Sequence, residues 1–435
     1  MKLICRYHAF STLLPLAILT VAVAKLRFNE KTWIGKDVPG IIDRRDLKDT
    51  DCPCDDPSWC LPIQVPLYSR KEVYGFSLKT DHWIDYDWSV ITTMAWFGSV
   101  EQLPRDLICY AHKHQARVVF TTSIPESILV NTSTTQEQRQ WAQEIVDRVN
   151  AAGADGLNLD YENPVDAKDR HKQQAISYIT TEIQMQLKKR NPHSSLVWDF
   201  GWKPNVDVRF YEYERMADIC DFVFLMVYDT QSQVWNGPPC LADANSPVSA
   251  VRQSLLWYGA GTNTSENGSY SYSNTSTSPS SFNIPYEKLL LGLPWYGYRY
   301  HCTEFDSQTQ QCIIPTVPFR GAPCSDAAGK QMDYPFTMAA LKQGKTKGIM
   351  DNITLSMKAF VRNDAGNVTA YFFDSPETIR DKIEAAWEMT DGRLGGVGVW
   401  NADVPDYSDS NQGRAFWNAM KIPPPLAATL SSNAS

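Results

Sequence analysis

The segment Asp155-Gly-Leu-Asn158-Leu-Asp160-Tyr-Glu162 places three polar side chains at alternate positions of a stretch that reads as a β-strand. Alternate strand residues share a face, so Leu157, Leu159 and Tyr161 point one way and Asn158, Asp160 and Glu162 the other. A strand covered on both sides has no solvated face, and an unpaired ionised carboxylate there either neutralises or finds partners. Two carboxyl groups in such a setting can supply a general acid and a group that steadies positive charge. Two further runs end in residues of the same promise. Met226-Val-Tyr228-Asp229 closes one, with Tyr228 on the face of Met226, and Trp400 closes another. Motifs for other chemistry fail. Gly344-Lys-Thr346 lacks the earlier glycine of a phosphate loop because position 339 is Ala, and Ser77 lacks the second glycine of a nucleophile elbow because position 79 is Lys. His112 and His114 stand two apart and would not share a helix face.

These residues need a frame. Apolar, β-rich runs recur at 73–78, 90–97, 116–123, 156–162, 195–202, 222–229, 289–297 and 395–401. Amphipathic stretches fill several gaps, most clearly 136–152, 169–190, 248–258 and 377–390. Strands buried on both faces and alternating with helices predict parallel βα units. Eight of them predict a closed (β/α)8 TIM barrel over 73–420, with catalytic groups at the C-terminal ends of its strands. No Gly-x-Gly-x-x-Gly opens a helix after the first strand, which weakens a dinucleotide-binding sheet. The gap 298–393 is too long for one crossover, and its fragments KAFVRND and VTAYFFD alternate. A small β-rich insertion at about 298–375, between strands 7 and 8, is expected. Segment 262–283 holds 16 Ser, Thr or Asn in 22 residues and reads as a mobile surface loop. The Pro- and Ser-rich tail, 421–435, is expected to be disordered.

Lys2, Arg6 and the 14-residue apolar run Ser11–Ala24 have the form of a cleaved signal peptide, 1–24, too short to span a bilayer. A Cys-containing extension, 25–72, follows it. Six sequons, at Asn131, Asn263, Asn267, Asn274, Asn352 and Asn367, are taken as glycosylation sites, and a seventh lies at Asn433. Nine cysteines remain after Cys5 leaves with the leader, so at least one is unpaired within the chain. Cys52, Cys54 and Cys60 form one cluster and Cys302, Cys312 and Cys324 another. Both suit disulfide staples in an oxidising compartment, with the pairing unreadable. A zinc site is disfavoured, since the spacings do not repeat and no His accompanies them. The net charge of −8 argues against nucleic acid or anionic membrane as partner, and no further run is long enough to span.

The pattern D-x-x-[DN]-x-D-x-E at 155–162 resembles the signature of family 18 glycoside hydrolases. Met226-Val-Tyr228-Asp229, Trp400 with Asn401-Ala-Asp403, Gly292-Leu-Pro-Trp-Tyr-Gly-Tyr298 and the early Cys-Pro-Cys54 are similar too, and resemble its chitobiase branch over roughly residues 50–420. The resemblance implies retaining, substrate-assisted hydrolysis of β-1,4-linked N-acetylglucosamine, in which the acetamido group is the nucleophile. Glu162 would be the general acid and base, its proton held by the interior setting and the charge of Asp160. Asp160 would orient the acetamido group, and Tyr228 would donate a hydrogen bond to it. Asp229 and Met226 would line the sugar site, with Asp229 on a hydroxyl, and Trp400 would floor it. Asn158 departs from the commoner Asp and, standing behind Asp160, should change how easily Asp160 ionises. No metal or organic cofactor is implied. The branch implies a monomer acting on the chitobiose core or chitin oligomers, releasing reducing-end N-acetylglucosamine in the lysosome, with secretion as the alternative. An endo-acting chitinase is the nearer rival and a chitin-binding lectin the more distant one, since such lectins usually lose the acid.

Overall fold

The structure, a computed structural model, describes residues 52–259 and 282–424. The signal peptide, most of the extension 25–72, all but the last residues of the 262–283 loop, the tail beyond 424 and sequons Asn263, Asn267, Asn274 and Asn433 lie outside the described residues.

Eight parallel strands close a barrel: β1 (Glu72–Ser77), β2 (Thr93–Trp96), β3 (Arg117–Thr122), β4 (Gly156–Leu159), β5 (Ser195–Gly201), β6 (Phe222–Met226), then β8 (Leu289–Pro294) and β16 (Gly396–Trp400) after the interpolated two-residue β7 (Cys240–Leu241). Each expected run supplies one barrel strand. The period of two decides where their side chains go. Leu157, Leu159, Tyr161, Trp198, Phe200 and Leu225 face outward into a large shell against the helices, whereas Tyr74, Phe76, Phe224, Met226, Tyr228 and Trp400 fill the interior. Phe224 occupies the centre because Gly292 and Gly398 carry no side chain; a Cβ at either would lie 2.4 Å from its ring.

The helices begin where caps allow. Thr134 and Glu137 form a reciprocal capping box ahead of α2 (Thr135–Ala151), and Ser375 with Thr378 does the same for α7 (Pro376–Met389). The short α1 (Arg105–Lys113) precedes them, and α3 (Arg170–Arg190), α4 (Tyr213–Ile219), α5 (Val248–Tyr258) and α6 (Tyr334–Gln343) come between; α8 (Ser410–Ala419) is the last of the described helices. None of the described helices is long and apolar enough to cross a membrane.

Two residues past Pro294 the chain leaves the barrel and builds the expected insertion. β9 (Tyr296–His301), β12 (Lys330–Asp333), β13 (Ile349–Asp351), β14 (Ser356–Arg362) and β15 (Val368–Phe373) form an antiparallel sheet in the order β12-β9-β15-β14-β13. Between its strands, β10 (Glu304–Asp306) pairs with β11 (Gln311–Ile314), which in turn pairs with β7. The sheet therefore starts at the C-terminal mouth of the barrel.

Disulfides join Cys52 to Cys60, Cys54 to Cys109, Cys240 to Cys324 and Cys302 to Cys312. Neither cysteine cluster is self-contained: Cys54 pins the extension to α1, and Cys324 ties the insertion to the loop after β6. The first cluster's three sulfurs lie close enough for a metal, but each is in a disulfide. Among the described residues the unpaired thiol is Cys220, buried in the outer shell, where burial pushes its pKa far up.

Candidate active site

β4 ends at Leu159, earlier than the sequence run suggested, so Asp160 and Glu162 project from the strand's C-terminal mouth. The backbone stays anchored there, with Asp160 N–H donating to Thr122 O at 2.9 Å. Tyr161 keeps the outward phase and donates its hydroxyl to Glu126. Asp160 and Glu162 share a carboxyl–carboxyl hydrogen bond. The shielded Oδ1 of Asp160 has no hydrogen-bond partner. Asn158 lies fully buried behind them and donates to Asp199 Oδ1 at 2.7 Å. Its partner is thus Asp199 on β5, whose charge in turn acts on Asp160. Asp199 follows the inward Val197 by two positions, and the alternation argument used for β4 could have found it.

Glu162 has a partner that the sequence did not disclose. Its Oε2 lies 2.9 Å from Nη2 of Arg209, which also reaches Asp207 Oδ2 at 3.2 Å. Burial pushes the Glu162 carboxyl up, and the Arg209 guanidinium beside it pulls it down. Asp160 is held well above the ordinary carboxylate value by burial, by the charge of Glu162 and by Asp199. The expectation for Glu162 did not include this cation, which opposes the burial that raises its carboxyl. Burial and the Glu162 charge raise Asp199 as well, against its hydrogen bond from Asn158. Three carboxyl groups this close in a poorly solvated site cannot all ionise, and the pair Asp160–Glu162 is set to carry a shared proton.

Tyr228 and Met226 line the same cleft, as does Asp229 at a left-handed φ of 51°. Burial first, then the surrounding carboxylates, keep the Tyr228 phenol far above its usual pKa, so it remains a hydrogen-bond donor. Asp229 does not cap a helix. Its Oδ1 accepts from Tyr296 at 2.6 Å and from Tyr298 at 3.0 Å, joining the catalytic mouth to the insertion. Trp400 is 2 % exposed, packs edge-on against Phe76 and Phe97, and has an Nε1–H without a partner. It lies in the interior cluster that includes Met226 and Tyr228.

Sequence reasoning missed the rest of the wall. Trp202, at the end of β5, and Phe319, Asp326 and Gln331 from the insertion line the cleft beside Asp207 and Arg209. Trp202 stood at a strand end and was readable as a candidate. The insertion residues carried no such signal, because only folding of a remote segment brings them to this mouth. Of the sequons, Asn131, Asn352 and Asn367 are exposed.

Residues 127–404 match the family described as Glycosyl hydrolases family 18. The chain belongs to glycosyl hydrolase family 18. Among relatives, human di-N-acetylchitobiase is 33% identical over 377 residues, covering 86% of this chain and 89% of that protein. Mouse di-N-acetylchitobiase is 35% identical over 378 residues, with 85% and 93% covered. Probable di-N-acetylchitobiase 2 of Dictyostelium discoideum is 34% identical over 378 residues, with 85% and 90% covered. The fold is shared with a solved family 18 chitinase from Cycas revoluta in complex with (GlcNAc)3, at 15% identity and a TM-score of 0.57, over 80% of this chain and 99% of that one.

Proposed function

We propose that this family 18 hydrolase is a chitobiase, cleaving β-1,4-linked N-acetylglucosamine with retention and releasing the reducing-end sugar from the chitobiose core or chitin oligomers. The observation that carries the reading is the pair of neighbouring carboxyls at the β4 mouth, with a buried Asp160 oxygen that lacks a donor. An acetamido N–H is a donor of the right kind for it.

Asp160 yields the shared proton to Glu162, which delivers it to the glycosidic oxygen as the acetamido carbonyl oxygen bonds to C1 and the leaving sugar departs. Asp160 accepts from the acetamido N–H and steadies the positive charge of the oxazolinium ion. Tyr228 donates to the acetamido oxygen, and Trp400 offers its face beneath the ring. Glu162, now a carboxylate, takes a proton from water as the water oxygen bonds to C1 and reopens the oxazoline. Met226 and Asp229 shape the sugar site.

The full length of similarity to di-N-acetylchitobiases supports the chitobiase reading over an endo-chitinase, and a retained acid disfavours a lectin. The protein acts as a monomer in the lysosome, reached through the secretory pathway, with glycans on exposed sequons. Its net negative charge suits neither nucleic acid nor anionic membrane. The test is a product analysis with a reducing-end-labelled chitin tetrasaccharide. Labelled monosaccharide as the first product supports the reading; labelled disaccharide as the main early product would replace it with endo action.

A further inference from the structure

Three of the four residues 205–208 adopt left-handed backbone: Asn205 at φ 60°, Asp207 at 55° and Val208 at 61°. Asn tolerates this region, whereas a β-branched valine there is a true outlier. Such strain, of order 1–3 kcal/mol per residue, persists only where the surroundings over-determine it, and it gathers at functional sites. The surroundings here do so from three sides. Val165, in the loop after β4, brackets the turn, with Val165 N–H donating to Val208 O at 2.8 Å and Phe210 N–H to Val165 O at 3.1 Å. Gln233, after β6, accepts from Asp207 N–H at 2.9 Å. Arg320 of the insertion donates to Asp207 O at 2.6 Å.

What the turn delivers is Arg209. Its guanidinium is buried, its Nε donates to the backbone oxygen of Glu162 at 3.1 Å, and its Nη2 is shared between Glu162 and Asp207. A cation fixed to the acid by both backbone and side chain, and counterweighted by a second carboxylate, is more than a packing contact. We propose that Arg209 is a positioning residue that sets the pH range of catalysis, aiming Glu162 and strengthening it as an acid, with Asp207 moderating the hold. This rests on the reading of Glu162 as the acid.

Glu162 is faced by Asp160 from β4, Asp199 from β5, Asp207, Arg209 and Tyr211 from the segment after β5, Tyr228 and Asp229 after β6, and Arg320 from the insertion. The carboxylates favour retention of the shared proton, and the two arginines favour its loss. Arg209 is the cation in hydrogen-bond contact. A stronger acid gives up its proton more readily in the first half of the reaction but holds it only at lower pH. Activity then falls as pH rises through the value at which the Asp160–Glu162 pair loses that proton.

The experiment compares pH profiles of kcat and kcat/KM on chitobiose for the wild type, R209M, R209K and D207N, with E162Q as control. Removing the cation in R209M should move the alkaline limb up by about 1–3 pH units. D207N should move it down, and R209K, which keeps the charge, should stay nearer the wild type. Shifts of opposite sign cannot come from a general loosening of the site. Profiles unmoved in both R209M and D207N, or moved the same way, overturn the proposal. If R209M fails to fold, D207N against R209K decides it: no downward shift in D207N overturns it. Hydrolysis surviving in E162Q would overturn both this role and the reading of the acid, whereas an inactive E162Q with unmoved profiles sinks the role of Arg209 alone.

Discussion

Asp155 and Asp160 lie at opposite ends of β4, and the protein surrounds them in opposite ways. Asp155 Oδ1 accepts from Ile63 N–H at 2.8 Å, and its Oδ2 accepts from Val118 N–H at 2.7 Å and faces His112 Nε2 at 2.9 Å. His112 Nδ1 lies 2.7 Å from Trp59 O, so both ring nitrogens meet acceptors and the ring is an imidazolium. Beside it Glu72 receives Thr92, Thr93 and Arg117. At this N-terminal end both oxygens of each carboxylate have donors, the anion is locked, and the product is attachment of the extension to the barrel. At the C-terminal mouth Asp160 keeps one oxygen without a donor and has like charges for neighbours. A carboxyl so placed is held toward its protonated form. Saturated hydrogen bonding makes structure, and withheld hydrogen bonding makes chemistry.

Substitutions at the two ends should therefore fail differently. E162Q should lower kcat by about 10²–10⁴-fold while leaving KM and the thermal midpoint nearly unchanged; near-wild-type turnover would dissolve the distinction. D155A strands an imidazolium in the interior and should cost about 3–5 kcal/mol of stability in denaturant titrations. The protein that remains folded should hydrolyse substrate at close to the normal rate. D160N should invert that pattern, with a rate loss of about 10²–10³-fold and unchanged or improved stability, because it relieves repulsion. If D160N unfolded the protein as D155A does, the two ends would not differ in kind. Y228F removes one neutral donor and should cost about tenfold in kcat.

The smallest effect concerns pH. Burial opposes the charge of His112, but Asp155 and the hydrogen bonds to it win, so its pKa is raised above the ordinary 6.5. A raised imidazolium stabilises the fold fully below its unfolded value, and that contribution is lost as pH rises through the folded value. Thermal midpoints between about pH 6 and 9 should decline in the wild type and decline less in H112Q. Equal slopes in both would remove His112 from the account.

Much of this was legible. The eight barrel strands follow from apolar runs bounded by turns, and the inward phase of Asn158, Asp160, Glu162 and Tyr228 follows from the strand period alone. Asp199 obeys the same rule and could have been read. Arg209 could not, since nothing in Asp207-Val-Arg209 signals a left-handed turn that aims a guanidinium into the mouth. The pairing of Cys324 with Cys240 rather than with its own cluster was equally hidden.

The sequence by itself determined the barrel, the insertion's place between strands 7 and 8, and the inward face shared by Asp160 and Glu162. Each is a matter of local periodicity, in which a residue's neighbours in the chain settle its face. Tertiary structure alone decided which carboxyl has a cation beside it, which oxygen lacks a donor, and which insertion residues wall the cleft. Those depend on distances of about 3 Å between residues far apart in the chain, where electrostatic energy varies steeply and a linear pattern carries no coordinate.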